Sequence, residues 1–212
     1  MGQGQEKESL FGKLINIITG NPSPPKKPAE NKVEGKYSPK VEEPLDLRFV
    51  KNFTKSGGNF LYCKNLQEVK DVISKICVEE NIAHIFTNED EMKHILEGGS
   101  AQVSSDAKRS NAICSTCEAM IANMGGIMID DLQTGSIRLS DLPEVHIILG
   151  KTSQIVEGLH AGMAAINKKY NKNIPGQLTT LKGHKDESVK QASNDSNAKR
   201  TLFLLLLEDE IG

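Results

Sequence analysis

The order of apolar and polar positions along residues 45–212 predicts an α/β domain. Apolar runs of strand length occur at 59–63, 82–86, 145–149, 178–181 and 201–207. Between several of these runs, apolar residues recur every three or four positions, which is the spacing of a helix that buries one face. The run at 201–207 is apolar on both faces of a strand, which is typical of the covered centre of a sheet. We therefore expect a single domain with helices packed on a central mixed sheet.

Two helix starts are predicted from capping patterns. Asn65 is followed three residues later by Glu68, and apolar residues at 66, 69, 73 and 76 continue at helical spacing. Asn88 and Glu91 repeat this pattern ahead of a helix that contains Met92. A short polar side chain followed by Glu at this distance is typical of a helix N-terminus, because each can bind an amide that the helix leaves unpaired.

The second half of the domain has a different rhythm. Four short apolar stretches are separated by polar residues or glycines, and we expect short strands there, at 112–113, 120–121, 127–129 and 137–139. Thr152 or Ser153 is then expected to cap a helix that runs to Tyr170.

Three segments have compositions that do not favour a packed core. Residues 1–19 contain a short amphipathic helical pattern, which indicates either a frayed terminus or a segment that docks on its own domain, or else a helix that binds a partner or a membrane surface. The pattern contains a single lysine, so a protein partner is favoured over a membrane surface. Six of the eight prolines precede residue 45, so 20–44 is predicted to be a disordered linker rich in Pro, Lys and Glu. Residues 182–200 are predicted to be a polar, mobile loop.

The composition narrows the class of protein. The chain has 212 residues, a net charge of −2, 4% aromatic residues and no tryptophan. So small a net charge and so few aromatic side chains disfavour nucleic-acid binding. No apolar run has the roughly 20 residues that a membrane-spanning helix needs, and no secretory signal is visible. We expect a cytoplasmic protein with reduced cysteines.

Cys114 and Cys117 form a Cys-x-x-Cys pair, the first candidate for chemistry. Such a pair can bind a metal ion or cycle as a dithiol. A structural zinc site needs two more ligands at short spacing, and Cys63 and Cys77 do not form a second pair. Two structural thiols are the simpler interpretation, and no metal is expected.

A glycine turn at Asn123, Gly125 and Gly126 is the second candidate. Glycines let a ligand approach the backbone, whose N–H groups can hold a carboxylate or a phosphate. A two-glycine hairpin turn explains the same residues.

Charged residues near predicted strand ends give two further candidates. Arg138 and His146 could meet at the ends of neighbouring strands, where arginine suits a carboxylate and histidine moves protons near neutral pH. Lys182 and Gly183 follow a predicted strand, a position where α/β sheets bind ligands. A surface cation, a hydrogen-bonded sheet histidine and a solvated loop are the structural alternatives.

Several blocks of the sequence resemble the LUD-domain family, whose best-known members are the lactate-utilisation protein C group. The blocks lie at 60–66, 117–126, 135–150 and 152–156. The resemblance covers residues 45–181 and 201–209, and its central part contains an acidic and aliphatic stretch, a glycine turn and a Pro-x-x-His strand in the family's order.

The resemblance implies a fold like that of NagB, RpiA and the CoA transferases. It also implies a role in the oxidation of L-lactate to pyruvate, as an accessory component beside iron–sulfur and flavin subunits. No cofactor is then expected on this chain itself. The alternative is a stand-alone binder or enzyme that takes a small anion such as a carboxylate, a sugar phosphate or a CoA ester. A homo-oligomer is compatible with either role.

The sequence departs from the family in two places. Residues 122–126 read Ala-Asn-Met-Gly-Gly, where the family has a charged or hydroxyl-bearing turn, and Gly183 is followed by His-Lys-Asp-Glu in place of an arginine- and threonine-containing motif. Catalytic residues are therefore not assigned, and enzyme activity is left open. The expected ligand-binding set is Asn123, Gly125, Gly126, Arg138, His146, Lys182 and Gly183.

Overall fold

The structure is a computed structural model that describes residues 43–171, 173, 175–184 and 200–209. The predicted helix at 1–19, nearly all of the predicted linker and most of the predicted polar loop lie outside these residues. The compact unit that contains the described domain begins at Pro44.

Helices and strands alternate along residues 45–104, and strands predominate in the rest of the domain. The α-helices are α1 (Leu45–Lys55), α2 (Leu66–Glu79), α3 (Asp90–Leu96), α4 (Asp131–Thr134) and α5 (Leu159–Lys169). The strands are β1 (Asn59–Cys63), β2 (His84–Phe86), β3 (Gln102–Ser104), β4 (Ala112–Thr116), β5 (Ala119–Ile121), β6 (Gly126–Asp130), β7 (Val145–Lys151), β8 (Ile155–Val156), β9 (Leu178–Leu181) and β10 (Thr201–Leu207). Short 3₁₀ helices lie at Ala107–Arg109, Leu139–Asp141 and Thr152–Gln154.

The central sheet has six strands in the order β1-β10-β7-β4-β2-β3, and every neighbouring pair is parallel. The α/β class predicted from the sequence is therefore confirmed. The sheet differs from the mixed sheet expected, because antiparallel pairing is confined to a second sheet. That sheet has four strands in the order β8-β5-β6-β9.

The strand β10 occupies the second position of the central sheet and pairs on both sides. Leu204 is in register with Phe60 of β1 and with Ile148 of β7. The side chains of Leu202, Leu204, Leu205 and Leu206 are fully buried. Both faces of this strand are covered, which explains why its sequence is apolar at consecutive positions instead of alternating.

One face of the central sheet is covered by α2 and α3. The predicted cap of α2 is confirmed, since the Asn65 side chain accepts the amide of Glu68 at 2.9 Å. Val69 and Ile73 of α2 and Met92 of α3 are buried in the cluster beneath the helices. This cluster also contains Cys77, which accounts for that cysteine as a core residue.

The second sheet carries α5 on one face. The buried cluster here joins Ile166 of α5 with Ile121 and Met128 of the sheet. A Cβ atom on Gly162 would lie 2.8 Å from Ile121 Cδ1. The absence of a side chain at this position therefore lets the helix lie close to the strands.

The helix predicted from Thr152 or Ser153 begins later than expected. Residues Thr152–Gln154 form a single 3₁₀ turn, β8 follows, and α5 starts at Leu159 after Gly158. Asp209 accepts hydrogen bonds from the Thr152 hydroxyl at 2.5 Å and from the Ser153 hydroxyl at 3.0 Å. A tertiary contact thus uses the groups that would otherwise have capped a helix.

Two other local expectations were wrong. Asn88 does not cap α3, because the helix starts one residue later with Glu89 as its N-cap, and the Asn88 amide donates to the Leu132 carbonyl at 2.6 Å. The stretch 137–139 is not a strand, since Leu139 opens a 3₁₀ helix. Ile137 and Leu139 pack at the edge of a separate buried cluster. These residues are apolar because the segment between α4 and β7 packs against the domain, and not because it forms a strand.

The first helix, α1, and the strand β3 were not expected from the sequence. Phe49, Val50 and Phe53 form the buried face of α1. The two phenylalanine rings are stacked, with their centroids 5.6 Å apart. No helix in the described part of the chain is long and apolar enough to cross a membrane.

We expect Gly125→Ala to destabilise the domain more than Gly98→Ala. Both glycines have positive φ, at 59° and 75°. A Cβ at Gly125 would lie 2.4 Å from Asn52 C in the α1 backbone, whereas a Cβ at Gly98 meets nothing within 4 Å. Gly98→Ala should cost about 1 kcal/mol of unfolding free energy for the left-handed conformation alone. Gly125→Ala should cost about 1–3 kcal/mol more, for overpacking. Equal losses in urea denaturation would show that α1 does not rest on this turn.

Candidate functional site

Polar side chains gather at the carboxyl ends of the central strands. Glu89 follows β2, Glu118 follows β4, Lys151 ends β7 and Asp209 follows β10. Because these strands are parallel, their carboxyl ends lie on one edge of the sheet. This edge is where α/β folds place ligands.

Glu118 and Lys169 form an ion pair at this edge. The Lys169 ammonium lies 2.8 Å from Oε1 and 2.9 Å from Oε2 of the carboxylate. The Glu118 side chain is 2% exposed, whereas that of Lys169 is 56% exposed. The pair therefore places a nearly buried negative charge against a half-exposed positive charge. Gln133 also donates to Glu118 Oε1, at 3.1 Å.

Tyr170 connects Glu118 to a second carboxyl group. Its hydroxyl lies 3.0 Å from Glu118 Oε1 and 3.0 Å from Asp130 Oδ2. A phenol has one proton, so it donates to one of these oxygens at a time. Burial raises the pKa of Asp130, and the neighbouring Glu118 charge adds to the rise. Both contacts are satisfied when a protonated Asp130 donates to Tyr170 and Tyr170 donates to Glu118.

A third carboxyl group joins through Thr116. Glu89 accepts the Thr116 amide at 2.7 Å and the Thr116 hydroxyl at 2.5 Å. Gln133 donates to the same hydroxyl at 3.2 Å and so links Glu89 to Glu118. Burial raises the pKa of Glu89, although both hydrogen bonds from Thr116 oppose the rise. We call this connected set the carboxyl network; its members are Glu89, Thr116, Glu118, Asp130, Gln133, Lys169 and Tyr170.

A cavity of about 210 Å³ opens beside the carboxyl network. Its lining is Glu118, Ala119, Ser153, Gln154, Val156, Ala165, Ile166 and Lys169. One part of the wall is apolar, and the polar part is supplied by Glu118, Ser153, Gln154 and Lys169. A small apolar-walled cavity with a few convergent polar groups is the usual form of a site for a small molecule. Another cavity, of about 150 Å³, lies between α2 and α3, and no member of the carboxyl network lines it.

Two glycines of the sequence-predicted set lie against α1 and the residues that follow it. A Cβ on Gly125 would be 2.4 Å from Asn52 C, and one on Gly183 would be 2.4 Å from the Gly58 amide nitrogen. Both positions therefore allow close backbone packing. Gly183 is buried, which differs from the exposed loop expected there.

Three further residues of the sequence-predicted set, Asn123, Gly126 and Lys182, lie near the second sheet. The Asn123 side chain accepts a hydrogen bond from Arg48 at 3.2 Å. Gly126 begins β6, where a Cβ would lie 2.7 Å from Thr180 Cγ2 of β9. Lys182 follows β9 and is half-buried. None of these residues lines the cavity beside Glu118.

Arg138 and His146 differ sharply in exposure. Arg138 is exposed, whereas His146 is fully buried, and its Nε2 atom lies 2.8 Å from the Ser115 hydroxyl. Burial lowers the pKa of His146 well below its usual value, and the positive charge of Arg200 adds to this. Arg200 is itself only 3% exposed, although the sequence placed it at the end of a solvated loop. Its guanidinium donates to the carbonyls of Pro143 and Leu139.

Cys114 and Cys117 are both buried, at 1% exposure each. Burial raises the pKa of both thiols strongly, and nearby carboxylates reinforce the rise. The thiolate is the metal ligand and the nucleophile, so this environment favours inert thiols. Within the described ranges, no group of three His, Cys, Asp or Glu side chains could hold a metal ion.

The sequence analysis missed the carboxyl network. Glu118 lies inside the acidic and aliphatic stretch of the family resemblance, but the stretch does not show which residues pair with it. Lys169 matches a helix-end cation, and its partner is 51 positions away. The available signal was a carboxylate between two buried strands, because such a charge requires a partner from elsewhere in the chain.

We expect acid to destabilise the domain through His146. With the folded pKa depressed and the unfolded value near 6.5, the unfolded chain binds a proton first as the pH falls. Unfolding free energy should therefore decline below about pH 6.5, by up to about 1.4 kcal/mol per pH unit. His146→Gln keeps a donor for Ser115 and should flatten this slope in urea denaturation between pH 7 and pH 5.5. Equal slopes for both proteins would exclude His146 as the cause.

We expect Lys169→Met to destabilise the domain by about 2 kcal/mol, because it leaves the buried Glu118 charge without its cation. Adding Glu118→Gln should recover most of the loss, since the charge then disappears as well. The matched control is Lys168→Met, which removes an exposed neighbouring cation and should change stability by less than about 0.5 kcal/mol. Additive losses in the double variant would contradict a coupled pair.

A solved structure of another protein has a fold similar to that of this domain. The structure is similar to the crystal structure of a DUF162 family protein from Deinococcus radiodurans, with a TM-score of 0.56 and 17% sequence identity. The similarity covers 78% of this chain and 96% of that chain. At this identity, the similarity shows the fold alone. No curated protein matches the sequence.

The family is shown by the sequence itself. The profile of the LUD domain matches residues 47–199, which is most of the chain and includes every strand except β10. The resemblance noted from the central sequence blocks is thereby confirmed. The chain belongs to the LUD-domain family.

Proposed function

We propose that this protein serves L-lactate utilisation as an accessory component beside iron–sulfur and flavin subunits that oxidise lactate to pyruvate. The observation that carries the proposal is the LUD-domain match over residues 47–199. The best-known members of that family are the lactate-utilisation protein C group.

A second candidate function is favoured by the cavity beside Glu118. This function is that of a stand-alone binder or enzyme for a small molecule, the alternative raised by the sequence. The cavity contains a nearly buried carboxylate and a cation whose charges cancel, so its polar wall carries no net charge. A neutral polar ligand fits this charge balance better than the small anion first expected, because an anion would lie against Glu118.

Deletion of the gene is expected to abolish growth on L-lactate and leave growth on glucose unchanged. The tagged full-length protein, purified without oxygen from lactate-grown cells, should recover partner subunits. Iron and flavin should be detected in the eluate in amounts above those from an untagged strain.

Normal growth on L-lactate together with a colourless single-protein eluate would overturn the accessory role.

The tagged chain carrying Leu14→Glu and Ile18→Glu tests whether residues 1–19 form the tether to the partner. If they do, this variant should lose the iron and flavin while it retains a normal urea midpoint.

A further inference from the structure

The hydrogen bonds around the cavity leave specific groups uncommitted. Glu118 Oε1 accepts from Gln133, Lys169 and Tyr170, whereas Oε2 accepts only from Lys169. Lys169 donates two of its three ammonium protons to Glu118. Gln154 donates one amide proton to the Cys117 carbonyl at 2.5 Å. One carboxylate lone pair and two N–H donors therefore have no partner among these contacts.

These groups have complementary chemical capabilities. A carboxylate with a free lone pair can accept a proton, and the Glu118 side chain, 2% exposed, forms part of the cavity wall. An ammonium and an amide N–H can both donate to one carbonyl oxygen and stabilise negative charge that develops there. The apolar wall formed by Val156 and Ile166 suits a short hydrocarbon substituent.

From this geometry we propose that the cavity is a proton-transfer site for small neutral carbonyl compounds, with Glu118 as the general base. The carbonyl oxygen accepts hydrogen bonds from Lys169 and Gln154. Glu118 removes a proton from the carbon next to the carbonyl. The C–H electron pair forms the enolate double bond, the carbonyl π pair moves to the oxygen, and the proton later returns to carbon. The step is redox-neutral and needs no co-reactant.

Tyr170 and Asp130 act as positioning residues behind Glu118. Tyr170 donates to the oxygen of Glu118 that Lys169 and Gln133 also bind, which fixes the carboxylate with Oε2 as its open oxygen. Asp130 lies on the other side of the phenol, with its Oδ2 atom 3.0 Å from the Tyr170 hydroxyl oxygen. The Tyr170 hydroxyl therefore connects Glu118, which takes the proton from the ligand, to the carboxyl group of Asp130.

This inference rests on the second candidate function and is independent of the role in lactate oxidation. The test uses the full-length protein in D₂O with hydroxyacetone as a neutral probe and pyruvate as an anionic one. Proton NMR follows the loss of the signals from hydrogens next to the carbonyl. We expect exchange above the buffer rate, faster for hydroxyacetone than for pyruvate at equal concentration.

Glu118→Gln should lower the protein-dependent exchange rate about 100-fold or more, the size of a general-base contribution. Tyr170→Phe leaves the cavity lining unchanged and should lower the maximal exchange rate without changing the hydroxyacetone concentration at half-saturation, because the carboxylate loses the donor that fixes its orientation. Lys168→Met should exchange like the unmodified protein, and urea midpoints check that each variant is folded.

Exchange that is no faster than buffer with both probes would overturn the inference, as would equal rates in the unmodified protein and Glu118→Gln. An unchanged maximal exchange rate in Tyr170→Phe would overturn the positioning role of Tyr170. These outcomes are distinct from those of the growth experiment. A protein that supports growth on lactate but exchanges no protons would leave the accessory role intact and remove the site.

Discussion

The insertion of β10 between β1 and β7 is the interaction on which the rest of the domain depends. Without it, the central sheet divides into a lone strand and a four-stranded sheet. β10 pairs over its whole length with β7 and from Phe203 to Leu207 with β1, and the residues that flank it form tertiary contacts. Arg200, just before it, binds the carbonyls that precede β7, and Asp209, just after it, binds the turn that follows β7. One strand therefore fixes both ends of β7.

That arrangement also positions the candidate site. The turn held by Asp209 contains Ser153 and is followed by β8, which pairs with β5 of the second sheet. Glu118 lies between the two sheets, after β4 and before β5. The base, the cation on α5 and the polar turn thus meet where the second sheet joins the carboxyl edge of the first. A site at such a junction takes its geometry from both sheets.

Features whose causes are local were predictable from the sequence. The Asn65 cap and the strands at 59–63 and 201–207 are confirmed, because capping and consecutive burial act over a few residues. The prediction of a helix from Thr152 was wrong, since a contact with Asp209 determines the structure of that segment. The prediction of a strand at 137–139 was also wrong, since these residues are apolar for packing within a connection. The glycine turn around Gly125 was recognised from its residue types. The helix α1, which packs against Gly125, was not predicted. The carboxyl network depends on charges that the fold brings together across the chain, and no local pattern shows such pairing.

The consecutive leucines of β10 have a consequence for the unfolded chain. A stretch of six uncharged apolar residues, 202–207, has the composition of segments that stack into cross-β aggregates. In the native sheet both edges of this strand are paired, so it offers no template to another chain. Once the strand leaves the sheet, its gatekeepers are the flanking charges at Lys199, Arg200, Glu208, Asp209 and Glu210. Heating is therefore expected to end in precipitation, and the useful life of the domain is governed by how fast this strand detaches.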